Sequence, residues 1–138
     1  MVYGSVARGS ASNTSDIDIL LVSESLSGSL GCRMEKLYHM VEKTLEDEIR
    51  WLKRHGIYTS LSFYPLRREE AEKLPLLFLD LVEEAVILYD KNNFLENILL
   101  KLKSKLLMQG AKRVVLDSKH WYWDLKPNYR FGETVEIV

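Results

Sequence analysis

Cysteine is almost absent from this chain. Cys32 is the only one, which excludes an internal disulfide and a cysteine-rich zinc site and suits a reducing compartment, so a cytoplasmic location is expected. Histidine is nearly as scarce: His39, His55 and His120 lie far apart without the spacing of metal ligands, and each reads as structural or exposed. No apolar run approaches the roughly 18 residues of a membrane span. The opening Met1-Val2-Tyr3-Gly4 lacks the basic and apolar stretches of an export signal. Neither a membrane partner nor secretion is expected. Excess charge is missing too, since a net charge of −1 gives no overall pull toward nucleic acid or an anionic surface. Any such partner has to be met by a local patch.

What remains is a globular composition. Of 138 residues, 46% are hydrophobic and 28% charged, enough to bury a core in one ordinary domain. Met1 to Tyr3 reads as a strand end running straight into Gly4-Ser5, as though an earlier element were clipped. Ser15 to Val22 alternates acid with apolar residues and then becomes wholly apolar, the pattern of a strand buried at its far end. Met34, Leu37, Tyr38, Val41, Leu45, Ile49 and Leu52 recur at steps of three and four and predict one long amphipathic helix, stopped by His55-Gly56. Ile57 to Tyr64 predicts a second strand closed by Pro65, followed by a short charged helix at Arg67 to Lys73. Leu76 to Glu84 reads as a helix, Ala85 to Tyr89 as a short strand, and Phe94 to Leu106 as another amphipathic helix ended by Gly110. Beyond it come a strand at Lys112 to Leu116, an aromatic cluster, a turn at Lys126-Pro127-Asn128 and a last strand at Glu133 to Val138. The fold class is therefore α/β or α+β, a small mixed sheet with helices packed on it. The expected division is a core domain, 1–110, and a C-terminal extension, 111–138, packed on the core or on a partner.

The chemistry concentrates near the start. Asp16 and Asp18 are two apart on a strand, so their side chains share one face, with Cα atoms about 7 Å apart. Two like charges on one strand face need a cation between them, and a hard, oxygen-seeking ion such as Mg²⁺ or Mn²⁺ suits the pair. Gly4 lets backbone approach a ligand closely, and Ser5 offers a hydroxyl and an N–H to phosphate oxygens. Arg8 adds a charge for a triphosphate, and Gly9 lets the turn pack against the sheet. Singly, a Gly-Ser turn or an Asp-x-Asp strand end is usually bland; in this order and spacing they reinforce one another.

The combination Gly4-Ser5-Val6-Ala7-Arg8-Gly9, a short polar gap, then Ser15-Asp16-Ile17-Asp18-Ile19-Leu20-Leu21-Val22 resembles the polymerase-β-like nucleotidyltransferase superfamily, most closely its minimal prokaryotic, antitoxin-type members. The resemblance implies a palm-like nucleotidyltransferase fold. It implies transfer of a nucleoside monophosphate from an NTP, here expected to be ATP, to a hydroxyl acceptor that could be a protein, with two divalent ions on Asp16 and Asp18. Gly4, Ser5, Arg8, Gly9 and Ser15 would then bind nucleotide. Two departures stand out. The helix that members carry before the Gly-Ser strand is missing, and the strand expected to hold a third catalytic carboxylate, Tyr58 to Tyr64, contains no acid. Glu69, Glu70 and Asp90 are the nearest acids in sequence, and each reads as a solvated helix or strand-end residue.

Two other readings stand beside the enzyme. Minimal members are often paired with a small helical protein in toxin–antitoxin systems, so a chain without a third carboxylate could serve as a nucleotide-binding regulatory module. An open sheet edge likewise favours a homo-oligomer or such a helical partner. Residues 101–130 hold eight Lys or Arg against two Asp around Trp121-Tyr122-Trp123, a composition that can bind RNA. A solvated helix face with aromatics packed under the tail is the preferred reading of that stretch. The acceptor, the preferred NTP and the pathway are not encoded in any motif.

Overall fold

The computed structural model describes residues 1–117 and 120–135. They divide into two compact units, Met1–Lys73 with Glu84–Tyr89, and Leu74–Glu83 with the chain from Asp90 onward. The first unit is built on a mixed three-stranded sheet in the order β1 (Val2–Tyr3), β2 (Ile17–Val22), β3 (Leu61–Leu66). β1 runs antiparallel to β2, and β2 runs parallel to β3 with Asp18 beside Ser62 and Leu21 beside Pro65. The small mixed sheet expected from the sequence is present. Val86 adds an isolated antiparallel bridge to Val2, with both backbone hydrogen bonds made, at 2.9 and 2.8 Å. Only that bridge remains of the strand expected at Ala85 to Tyr89. Leu20, Phe63, Pro65 and Leu66 are buried, so the far half of the sheet anchors the core while the near half stays open.

A short turn of helix, α1 (Gly4–Ala7), separates β1 from the polar loop before β2. The parallel pairing of β2 and β3 requires a long crossover, and helices supply it. The expected single helix is in fact two, α2 (Leu30–Thr44) and α3 (Glu46–Arg54), broken at Leu45. Thr44 donates its hydroxyl to the Met40 carbonyl at 2.9 Å, a back-bond that bends helices. Glu46, Asp47 and Glu48 then crowd the first turn of α3, where acids are favoured by the helix dipole. Met34 and Tyr38, expected on the packed face, are exposed, while Leu37 is buried and α2 lies against β3. Gly56 closes α3 at φ +77, as expected, with the Ile57 N–H reaching back to the Leu52 carbonyl at 3.0 Å. Pro65 lies inside β3 instead of ending it. β3 is an edge strand, where a residue without an N–H is tolerated. α4 (Arg68–Ala71) follows.

In the second unit, α5 (Phe78–Glu84, its last residue counted with the first unit) and α6 (Phe94–Met108) carry the buried side chains Phe78, Leu81, Leu95, Leu102 and Leu106. Asp90 caps α6 by accepting from the Leu95 and Glu96 N–H groups at 3.0 and 2.9 Å. β4 (Lys112–Val115) pairs antiparallel with β5 (Trp121–Asp124), so the aromatic cluster is a strand. There the Arg113 guanidinium stacks 4.4 Å above the Trp121 ring, and the Trp121 indole N–H donates to Asp80 at 2.9 Å. The turn at Lys126 forms, with Tyr129 N–H on the Lys126 carbonyl at 2.9 Å. The expected last strand is not found at Glu133–Val135, and its remainder, 136–138, lies outside the described residues. No described helix is long and apolar enough to cross a membrane.

In the first unit Arg33 is buried, at 5% exposure. Its guanidinium makes four hydrogen bonds: Nε donates to the Gly28 carbonyl at 3.1 Å, Nη1 to the Pro65 carbonyl at 3.0 Å and to Glu70 Oε2 at 2.6 Å, and Nη2 to Glu70 Oε1 at 2.9 Å. Glu70 therefore corrects the sequence reading of it as a solvated helix residue. It is the counter-charge of a buried arginine and also accepts from the Arg67 N–H at 2.8 Å. These bonds, that to Arg33 first, lower its carboxyl from 4.5 to about 2. A depressed acid stabilises the fold above its unfolded value and loses that contribution as pH falls through its folded value. Thermal melts should therefore show an acid loss of stability between pH 4.5 and about 2. Glu70→Gln should lower the melting temperature at neutral pH and flatten that part of the profile. An unchanged acid profile in the variant would remove Glu70 from this role.

Candidate active site

Antiparallel register places Tyr3 directly beside Asp18, so the chain leaves β1 at Gly4 against the second carboxylate. Gly4 has φ +72, a conformation that strains any residue with a side chain. A Cβ at this position would collide with Asp18 Oδ2 and stand 3.2 Å from its Cγ. Glycine is thus required twice, by the turn and by the carboxylate beneath it. From Gly4 the backbone closes α1, with the Arg8 N–H on the Gly4 carbonyl at 3.1 Å and the Ser10 N–H on the Ser5 carbonyl at 2.9 Å. The first N–H groups of such a turn have no acceptor within it.

Asp16 lies just before β2 and is exposed, while Asp18 is half-buried within it. Parallel pairing carries Ser60 and Ser62 to the same face: Ile17 N–H bonds the Ser60 carbonyl at 2.9 Å, and Asp18 is level with Ser62. The Ser60 hydroxyl donates to Asp16 Oδ1 at 2.7 Å. No hydrogen bond from a described residue reaches the Asp18 carboxylate. Burial, then the Asp18 charge and Tyr64, raise the Tyr3 phenol above its ordinary 10.0, so it stays protonated at neutral pH. Asp16 and Asp18 offer carboxylate oxygens, the donor type that Mg²⁺ or Mn²⁺ takes.

The other residues singled out in the sequence have varied surroundings. Arg8 lies on Glu84, Nη1 to Oε2 at 2.6 Å, with the Glu84 side chain only 7% exposed. Gly9 has φ +70 and nothing within 4 Å of a notional Cβ. Ser15 braces the polar loop, its hydroxyl accepting from the Ser12 N–H at 2.9 Å and its carbonyl from the Thr59 hydroxyl at 2.8 Å. Among the described residues no third acid, histidine or cysteine gathers with Asp16 and Asp18. Glu70 is held by Arg33, Glu69 pairs with Arg67 at 3.3 Å, and Asp90 caps α6. His55 Nδ1 donates to the Trp51 carbonyl at 2.8 Å, and His120 bonds Asp117. Sequence reasoning missed Glu84, Tyr3 and the Ser60 bond. Glu84 gave no signal, being the end of an ordinary helix, whereas the alternation of both strands could have paired Ser60 with Asp16.

The chain is 27% identical over 123 residues to a candidate protein adenylyltransferase of Methanocaldococcus jannaschii, an alignment covering 88% of this chain and 77% of that protein. No solved structure matches it significantly. The family model described as nucleotidyltransferase domain matches residues 1–136. With its Gly-Ser turn seated on an Asp-x-Asp strand, this chain belongs to the nucleotidyltransferase domain family.

Proposed function

We propose that this chain transfers the nucleoside monophosphate of an NTP, ATP in the first instance, to a hydroxyl group on a protein, with Mg²⁺ or Mn²⁺ held by Asp16 and Asp18. The observation that carries the reading is the contact of Gly4 with the Asp18 carboxylate, because it sets the backbone that can approach a phosphate directly against the pair that can hold a cation. The adenylyl group and protein acceptor follow the name of the archaeal relative.

In this reading Ser5 presents its hydroxyl and N–H to phosphate oxygens, and Gly4 allows the approach. A divalent ion, when bound, neutralises phosphate charge and polarises the oxygens at the reacting centre. Asp16 and Asp18 hold it, and Ser60 fixes the orientation of Asp16. Arg8, drawn to Glu84, stiffens the far end of the turn. The acceptor oxygen bonds to the α-phosphorus as the bond to pyrophosphate breaks, and the acceptor proton needs a base. Ser60 and Ser62 stand on the strand where a carboxylate base was expected, and a hydroxyl is too weak an acid–base group to substitute. Lack of that base costs about 10²–10⁴ in rate. This favours one second reading, a nucleotide-binding regulatory module with little turnover that works through a helical protein partner.

Calorimetry with Mg²⁺ and a non-hydrolysable ATP analogue should show binding to the unmodified chain and none to the Asp16→Asn, Asp18→Asn double variant; equal binding by both would sink the assignment. Gly4→Ala and Gly9→Ala both force alanine into a left-handed turn, at a cost of about 1–3 kcal/mol each. Only the first displaces Asp18. Gly4→Ala should therefore lose metal-dependent nucleotide affinity well beyond Gly9→Ala at similar melting temperatures, and equal losses would place the phosphates elsewhere. Labelled NTP with a cell extract should label a protein slowly; rapid labelling would eliminate the regulatory reading.

A further inference from the structure

We infer that this site takes one divalent cation per chain, where the family resemblance implies two, and that the Ser60 hydroxyl is the positioning group for Asp16; the inference rests on the nucleotide-and-metal reading above. The argument is one of ligand and charge count. The open sheet face presents two anionic ligands, Asp16 and Asp18, flanked by two neutral hydroxyls, Ser62 on β3 and Ser60 just before it. The triphosphate completes the shell of the ion it brings to the two carboxylates, and a second ion on the acceptor side is left without a carboxylate of its own. Two such ions about 4 Å apart repel strongly, and the arrangement is held by further anionic ligands that clamp and bridge them. No further acid, histidine or cysteine joins the pair among the described residues. The acids that could have moved in are engaged elsewhere in the fold, Glu70 with Arg33 at 2.6 Å and Glu84 with Arg8 at 2.6 Å.

The Ser60 bond points the same way. A hydroxyl donating to Asp16 Oδ1 at 2.7 Å occupies one lone pair of that oxygen and holds the carboxylate plane, leaving Oδ2 as the less encumbered ligand. An aspartate that bridges two ions uses both of its oxygens. One that is braced on one side is built to offer the other to a single ion, and such outer hydrogen bonds are worth about 10–100-fold in metal affinity. Ser62, level with Asp18, is where an added carboxylate would complete a second position.

The test counts ions directly. The full chain is dialysed against Mn²⁺ with an equimolar non-hydrolysable ATP analogue, bound Mn²⁺ is quantified, and the electron paramagnetic resonance spectrum reports whether ions are spin-coupled. One Mn²⁺ per chain with an uncoupled spectrum is expected, and Ser62→Asp should add a second ion with a coupled spectrum. A coupled pair in the unmodified chain overturns the single-ion assignment while leaving the nucleotide-and-metal reading intact. Binding of neither Mn²⁺ nor analogue overturns that reading and this inference together. Should Ser62→Asp not fold, the count in the unmodified chain decides alone. For Ser60, the Ala variant should bind Mn²⁺ about 10–100-fold more weakly, and Ser60→Thr should restore affinity, with metal-free melting temperatures alike in all three. Unchanged Mn²⁺ affinity in Ser60→Ala overturns the positioning role.

Discussion

A buried guanidinium needs partners for its charge and its donors, and the four hydrogen bonds of Arg33 organise the first unit. Its partners come from the loop before α2, from the end of β3 and from α4. One side chain thus gathers segments that lie far apart in sequence, and in this arrangement its charge is met by the Glu70 carboxylate. Removing either member of such a pair is worse than removing both, since an orphaned buried charge has no compensation. Lysine could not substitute, because the fork of Arg33 engages both Glu70 oxygens. The end of β3 is fixed by these bonds, and the register of β3 against β2 decides which residues stand beside Asp18.

Much of this was legible in the sequence, and the parts that were not share a cause. Alternation in Ser15–Val22 located β2 and the shared face of Asp16 and Asp18, because strand geometry is local. Gly56 and Gly110 marked helix ends for the same reason, both taking positive φ. The close approach of Gly4 to Asp18 was invisible as a distance, yet glycine at that position carried its trace. By contrast, the roles of Glu70 and Arg8 depend on partners 37 and 76 residues away, and no local pattern announces them. The break at Leu45 was hidden in an unbroken apolar periodicity, since a three-and-four pattern continues across a small bend. Trp121 to Trp123 looked like a loose aromatic cluster because its strand exists only by pairing with Lys112–Val115.

The site combines rigid and undemanding features. The carboxylates sit on a strand whose far half is buried, and the turn that meets them is fixed by backbone hydrogen bonds and by the Arg8–Glu84 pair. Little has to move for a phosphate to reach them. What the face does not supply is a strong base, and neutral hydroxyls occupy the places nearest the pair. On the proposed reading such a surface would hold a nucleotide more readily than turn it over, which links the slow-enzyme and regulatory readings as two degrees of one property.

Pro65 carries a consequence for assembly. The carbonyls of Ser60 and Leu66 accept from the β2 side, so the backbone groups of Leu61, Phe63 and Pro65 face the outer edge of the sheet. Proline has no N–H to give, and its carbonyl already receives Arg33. A visiting strand would find complete hydrogen-bonding residues only at Leu61 and Phe63, too short a run to hold one in place. The sheet therefore terminates itself on this side. A protein that grips this chain near β3 has to do so through side chains, leaving the backbone ladder, and with it the row containing Asp18, undisturbed.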